Sequence, residues 1–297
     1  MFKDAWREHF TKHRVLLVCV LDGDDPKIGY DDSCVVLSNF PEWKDVVYTH
    51  NDGVRNFGFL WAMKCFGKDL RYIVTLDDDV FPVTPQDESL CISNHIHHLQ
   101  QKYPISWMST ATEYMRGFPY GIREEAECWV SHGGWEGNRD YDAPTRLVNG
   151  EREASCTSMV VPKGCLIPVC GMNLAFRVEA LPYLYFAPMG EKVGVQRFGD
   201  IWMGLRLKRE LDRLGKCMVT GKSFVRHVQQ SNVFRNLEQE AKGIRWNETM
   251  WQYLDWYRND SGSNSPSPTD DVEMIRYFKL WDEGYFKWQD IVRGLLA

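Results

Sequence analysis

Clusters of positive charge are what this sequence most lacks. It carries 35 Lys and Arg against 41 Asp and Glu, a formal net charge of −6, and no long Lys/Arg block occurs along it. Neutralising a phosphate backbone needs clustered cations, so nucleic acid is not an expected partner. No apolar run is long enough to span a bilayer. No secretory leader is read at Met1-Phe2-Lys3-Asp4. The nine cysteines are scattered, odd in number and without a Cys-x-x-Cys pair. They read as reduced thiols, small buried hydrophobes of a cytoplasmic protein. Internal repeats are absent as well.

What is present is an ordinary globular composition, 44% hydrophobic and 26% charged over 297 residues, enough for one large α/β domain with a helical appendage. Twelve tryptophans are many. Spread through a core they are packing; flat rings also suit sugar faces.

Phe2 to His13 reads as an amphipathic helix. Arg14 to Leu21 reads as a strand apolar on both faces, ending in the polar turn Asp22-Gly23-Asp24-Asp25-Pro26. A shorter strand is expected at Val46 to Thr49 and a helix at Asn56 to Phe66, with Gly67 as its stop. A buried strand at Arg71 to Leu76 runs into Asp77-Asp78-Asp79. This is the order of a doubly wound α/β fold, in which ligands sit beyond the carboxyl ends of the strands. Tyr114 to Thr145 reads as a long functional loop, Leu166 to Phe176 holds a turn, and Asp200 to Leu214 reads as a helix. Residues 1–260 are taken as the nucleotide-type domain, 261–270, rich in Ser and Pro, as a flexible linker, and 271–297 as a closing helix or helix pair.

Three aspartates at one strand end repel unless something positive binds there, and a hard divalent cation with diphosphate oxygens is the natural partner. The bland alternative is a solvated acidic turn. His227, after the strand-like Ser223 to Arg226, suits a third ligand for Mn²⁺ or is structural. Asp200 reads from spacing as a helix N-cap, with a sugar-facing carboxylate as the alternative. Arg116 and Arg123, in a Gly/Pro-rich loop with Glu124 and Glu125, either hold phosphates or are surface arginines.

Taken together these segments resemble the reversibly glycosylated polypeptides, the UDP-arabinopyranose mutases. The resemblance runs from about Trp6 to about Trp246. It is carried by Tyr72-Ile-Val-Thr-Leu-Asp-Asp-Asp79, Met115-Arg-Gly-Phe-Pro-Tyr-Gly-Ile-Arg-Glu124, Val130-Ser-His-Gly133 and Asp140-Tyr-Asp-Ala-Pro-Thr145. Pro162-Lys-Gly164, Cys170-Gly-Met-Asn-Leu-Ala-Phe176, Asp200-Ile-Trp202, Ser231-Asn232, Asn236-Leu237 and Lys242-Gly-Ile-Arg-Trp246 follow in order.

The resemblance implies a GT-A type, Rossmann-like fold, a Mn²⁺ or Mg²⁺ cofactor and a UDP-sugar. It implies interconversion of UDP-arabinopyranose and UDP-arabinofuranose by reversible glycosylation of an arginine, at the position of Arg116. Arg123 and Asp200 join Arg116 as candidate catalytic residues. Asp22, Arg55, Asp77 and Asp78 are candidates for the nucleotide, and His132, Trp135, Met172 and Asn173 for the sugar. Asp77, Asp79 and His227 are candidates for the metal. A homo- or hetero-oligomer is expected, at the Golgi periphery in a eukaryote.

The chain departs from the family in three ways. It begins after the family's first strand. It carries Gly199-Asp200 where the family has two aspartates. A family lysine is replaced within Val228-Gln229-Gln230. The competing readings are a glycosyltransferase that passes the sugar to a protein, glycan or modified base, and a binding subunit without turnover.

Overall fold

The computed structural model describes residues 2–22, 34–36, 41–83, 90–108, 114–138, 140–150, 158–228, 231–260 and 269–297. The expected turn at 23–26 and most of the expected linker lie outside them. The elements in chain order are α1 (Phe2–Lys12), β1 (Cys19–Leu21), β2 (Cys34–Val36), α2 (Arg55–Phe66), β3 (Tyr72–Leu76), β4 (Val80–Pro82), α3 (Leu90–Gln100), β5 (Lys102–Pro104) and β6 (Glu125–Gly137). They continue as α4 (Ala143–Asn149), β7 (Met159–Val160), β8 (Asn173–Arg177), α5 (Gly199–Leu214), β9 (Cys217–His227), α6 (Val233–Asp260) and α7 (Val272–Leu296).

The main sheet has the order β3-β8-β6-β9-β4, with β5 added on β6 and β7 on β9. It is mixed rather than wholly parallel: β6 and β9 run parallel, while β3–β8, β6–β8 and β4–β9 are antiparallel. These pairings make β3, β6 and β9 point the same way, so their carboxyl ends reach one edge of the sheet. The acidic turn after β3 therefore lies on the same edge as Gly137 and His227, which are directly paired across β6 and β9.

Several local expectations change. The strand expected over Arg14 to Leu21 is only the three residues of β1, half-buried and paired with β2 in a separate two-stranded sheet. Arg14 takes a left-handed φ of 51° as the chain leaves α1, and Leu16 is 61% exposed. Val46 to Thr49 forms no strand. Val46 and Val47 are buried, and the Val46 carbonyl accepts from the Asn56 side chain at 3.2 Å instead of from a neighbouring strand. β3 is half-buried along most of its length, and β8 is its one strand partner among the described residues.

Tyr114 to Thr145 is not a loop throughout. It contains β6, the longest strand, whose middle residues Val130 to Gly134 are all buried between β8 and β9. Gly133 is required there, because a side chain would meet the Asn173 amide nitrogen at 2.0 Å and the Ser223 carbonyl at 2.5 Å. The segment Ser223 to Arg226 is the end of the 11-residue β9.

Helices α2, α5, α6 and α7 share one core with the sheet. Phe57, Leu60, Trp202, Trp246, Phe278, Trp281 and Trp288 are buried in a single cluster. The closing segment is one helix, not a pair. Asp271 caps it, accepting from the amides of Glu273 and Met274, and Trp288 and Tyr277 donate to the carbonyls of Leu181 and Pro188. Most of the tryptophan content is thus packing. At the other end of the chain α1 lies against β4, with the buried Trp6 ring donating to the Val80 carbonyl at 3.0 Å. Cys19, Cys65, Cys91, Cys128, Cys165, Cys170 and Cys217 are free thiols.

Candidate active site

Two strand ends and two helix starts meet at the acidic edge. β3 delivers Asp77, whose amide donates to the Met172 carbonyl at 3.4 Å. The turn then enters β4, where Val80 pairs with His227. α2 begins at Arg55 after the turn Asp52–Val54. α5 begins at Gly199. Helix N-termini favour negative charge, and both of these have aspartates against them.

Arg55 organises the acids. Its guanidinium is hydrogen-bonded to the Asp77 carboxylate and packs over the Phe186 ring. Burial opposes its charge, and Asp77, Asp52 and Asp200 outweigh that burial and hold it protonated. Asp200 is not the helix cap expected from its spacing. Phe198 takes the cap position without a side-chain bond, and Asp200 sits in the first turn, accepting from its neighbour Ile201 and from the Gly171 amide at 3.0 Å. Burial, reinforced by the nearby Asp52 carboxylate, raises Asp200 to about 7. Burial raises Asp52 as well, with Arg55 opposing. Two carboxyl groups this close share protons as a pair. The Gly199 position accommodates them: a Cβ there would meet the Asp52 carboxylate oxygens at 2.4 and 2.6 Å, so an aspartate side chain at 199 has no room in this arrangement.

At the other end of the turn, the Asp79 carboxylate Oδ2 lies 3.4 Å from His227 Nε2. The His227 Nδ1 meets the Asn138 carbonyl at 3.0 Å. The Asp79 interaction, with burial opposing, raises the His227 pKa. The Asp79 Oδ1 is buried without a hydrogen-bond partner among the described residues. Asp78 is exposed. Asp79 and His227 are therefore together, while Asp77 is turned to Arg55. No three His, Cys, Asp or Glu side chains converge as a metal site among the described residues.

The candidates for the sugar behave differently from one another. His132 Nε2 accepts from the Cys170 amide at 3.1 Å, and its Nδ1 donates to Thr220 at 3.1 Å. The Asn173 side chain is fully used inside the sheet. Its amide donates to the carbonyls of Gly134 and Ser223, and its oxygen accepts from His95. His132 thus holds the Cys170–Met172 loop at Cys170, and Asn173 anchors the residue that follows it. Met172 is buried and contributes its carbonyl to Asp77. Trp135 is half-buried, edge-on to His132 at 6.1 Å. Asp22, exposed after β1, accepts from the His50 amide at 2.5 Å, two residues before Asp52.

Arg116 is exposed, without a hydrogen bond or ion pair among the described residues. Arg123 is fixed within its own loop: it lies over the Tyr120 ring at 3.8 Å and the Tyr114 ring at 5.0 Å and donates to the Phe118 carbonyl. Two acids went unread in the sequence. Asp52 was hidden in Asn51-Asp52-Gly53, which reads as an ordinary turn before a helix. Asp140 accepts from the Cys170 thiol at 3.2 Å.

A mixed α/β sheet with C-terminal helices and an acidic turn at the shared strand edge defines a GT-A type, Rossmann-like nucleotide-sugar fold. A sequence model of the reversibly glycosylated polypeptide family matches residues 2–267. The chain is 35% identical over 273 residues to probable UDP-arabinopyranose mutase 4 of Arabidopsis thaliana, covering 84% of this chain and 72% of that one. It is 34% identical over 274 residues to UDP-arabinopyranose mutase 1 of Oryza sativa subsp. japonica, with 84% and 72% covered. It is 35% identical over 274 residues to UDP-arabinopyranose mutase 1 of Arabidopsis thaliana, with 84% and 74% covered. The chain belongs to the reversibly glycosylated polypeptide family. Among the described residues no helix is long and apolar enough to cross a membrane.

Proposed function

We propose that the chain is a mutase that interconverts UDP-arabinopyranose and UDP-arabinofuranose through a sugar held on Arg116. The observation that carries this reading is that the family match over residues 2–267 encloses every candidate residue, from Asp22 to His227, in proteins named for that activity.

A divalent cation of the Mn²⁺ or Mg²⁺ type fits the edge in part. The orphaned Asp79 Oδ1 beside His227 offers one carboxylate and one imidazole, a donor set suited to Mn²⁺. Asp79 and His227 would hold it, and Asp77 would join by releasing Arg55. When bound, the ion supplies positive charge to the diphosphate.

In the proposed reaction a guanidine nitrogen of Arg116 attacks the anomeric carbon. The bond from that carbon to the diphosphate oxygen breaks and UDP leaves. Guanidinium is a poor nucleophile because its pKa exceeds ~12, so a carboxylate takes a proton as the bond forms. Asp200 suits this role, because its pKa of about 7 lets it accept and return a proton near neutrality; Glu124 and Glu125, close to Arg116 in sequence, are the alternative acceptors. The nitrogen lone pair then forms a C=N bond as the bond to the ring oxygen breaks, and that oxygen takes a proton. The adjacent hydroxyl adds to the same carbon, losing its proton, and closes the five-membered ring. A UDP oxygen returns to the carbon and the guanidine leaves, regaining its proton. Dividing the exchange through a covalent intermediate replaces one difficult step with easier ones. The exposure of Arg116 leaves it accessible to a bound sugar, and Arg123 clamps the diphosphate in this scheme only by leaving its aromatic cage.

The test is Arg116→Lys, which keeps the charge and loses the guanidine chemistry. The variant binds UDP nearly normally and takes up no label from a radioactive UDP-sugar. Normal labelling, or mass spectrometry that finds the sugar on another residue, contradicts the assignment.

A further inference from the structure

A cavity of about 300 Å³ lies between α5, the end of α6 and α7. Its lining shares no residue with the acidic edge and lies farther along α5. Arg206 and Arg213 lie six and thirteen residues along α5 from Asp200, about 9 Å and about 20 Å at the helical rise. Part of its wall is α7, which falls beyond the residues matched to the family.

The floor of the cavity is polar and buried. The Arg206 guanidinium is hydrogen-bonded to Asp282 and lies over the rings of Trp281 at 4.6 Å and Tyr285 at 4.0 Å. Arg206 is 8% exposed, Asp282 4% and Trp281 0%. Three polar atoms of these residues are buried without a hydrogen-bond partner among the described residues: Arg206 Nη1, Trp281 Nε1 and Asp282 Oδ2. A purely structural ion pair tying α5 to α7 would satisfy its remaining donors and acceptors, because orphaned buried polar groups are costly. These atoms lie just beneath the cavity surface, and a shift of the side chains that line it presents two donors and one acceptor, the complement of a hydroxyl group, which donates once and accepts twice.

The rim is cationic. Arg209, Arg213 and Arg293 join Arg206 in the lining, against Glu210 and Asp282. Glu210 is paired with Arg213 at 3.0 Å. In a chain of net charge −6 this is a local excess of guanidinium, the group best matched to phosphate oxygens. Aromatic wall is supplied by Tyr183, Tyr253 and Phe286, and Phe286 is 48% exposed at the surface. The volume is at the small end for ligand sites. It suits a phosphorylated monosaccharide and is tight for a complete nucleotide sugar.

We propose that this cavity is a second ligand site that takes a phosphorylated sugar, its phosphate on the rim arginines and a hydroxyl on Arg206, Trp281 and Asp282. The inference does not depend on the reaction assigned to Arg116.

The test is calorimetry on the full chain with glucose 1-phosphate as the probe, in the presence of excess UDP. One molecule binds per chain, with a dissociation constant on the order of 1 mM or tighter. Arg213→Ala and Arg293→Ala, both at exposed positions, together weaken the probe at least about tenfold and leave UDP affinity and the urea midpoint of unfolding within error; these rim variants locate the site whether or not UDP binds. Absence of binding, an unchanged constant in the double variant, or equal affinity for inorganic phosphate overturns the proposal. The last result would mean that the polar floor recognises no hydroxyl.

Discussion

Acid should unlock the site loop before it affects most carboxylates. Three buried histidines lie behind that loop. Asn173 fixes the protonation of His95, because its amide nitrogen is spent on the carbonyls of Gly134 and Ser223 and its oxygen must accept. His95 Nε2 therefore carries a proton and donates at 2.9 Å. His95 Nδ1 then accepts from the Ser131 hydroxyl at 2.8 Å, and that hydroxyl accepts from His98 Nδ1 at 3.0 Å. His132 Nε2 likewise accepts, from Cys170. His95 and His132 each accept through one ring nitrogen and are neutral by construction. Burial lowers His95 to about 3, His98 to about 4 and His132 to about 4.

These groups bind protons in the unfolded chain and not in the folded one between pH 6.5 and about 4, so stability falls as pH falls through that window. Each costs about 1.4 kcal/mol per pH unit below 6.5, about 2 kcal/mol at pH 5, and the three together about 6 kcal/mol. Asp52, Asp200, Asp282 and His227, all raised, oppose this. Asp200 alone, at about 7, regains about 3 kcal/mol on going from pH 7.5 to pH 5. The net loss is therefore smaller than the histidine cost, and even a few kcal/mol is a large share of a domain's stability. Urea unfolding at pH 7.5 and pH 5.0 measures it, and imidazole resonances titrated by NMR assign it. Three rings titrating near 6.5 would refute the network.

Two further outcomes follow from the same packing. Gly133→Ala drives a methyl into Asn173 and the Ser223 carbonyl, and lowers stability by about 3 kcal/mol, read from the urea midpoint. Arg55→Met leaves Asp52, Asp77 and Asp200 without their shared cation and costs about 3–5 kcal/mol at pH 8. The deficit narrows at pH 6, because Asp52 and Asp200, already raised, then take up protons. A deficit that is the same at both pH values would show that the acids do not depend on Arg55.

The parts of the fold that were legible in the sequence are those that one segment decides alone. α1, α2 and α5 follow from apolar periodicity and end signals, and β3 with its acidic turn from an apolar run meeting three like charges. β6 was not legible, because Gly133, Gly134, His132 and Trp135 look like loop chemistry. They are chosen instead to let Asn173 and β9 approach from either side. Arg14 to Leu21 looked like a buried strand because its residues are apolar, but burial depends on what lies alongside, and only Cys19–Leu21 is paired. Spacing made Asp200 a cap; only the tertiary approach of Asp52 and Gly171 turns it into a raised carboxyl. Asp52 carried no signal beyond a turn. The α5–α7 cavity joins Arg206 to Asp282, 76 residues apart, a meeting that no local pattern announces.

The central claim is the ring exchange itself. Incubating the full chain with UDP-arabinopyranose and Mn²⁺ and separating the nucleotide sugars by chromatography tests it most directly. UDP-arabinofuranose appears and approaches a fixed ratio to the pyranose from either starting form. If UDP-arabinopyranose binds and returns unchanged, or its sugar is found only on an added acceptor, the chain is not a mutase.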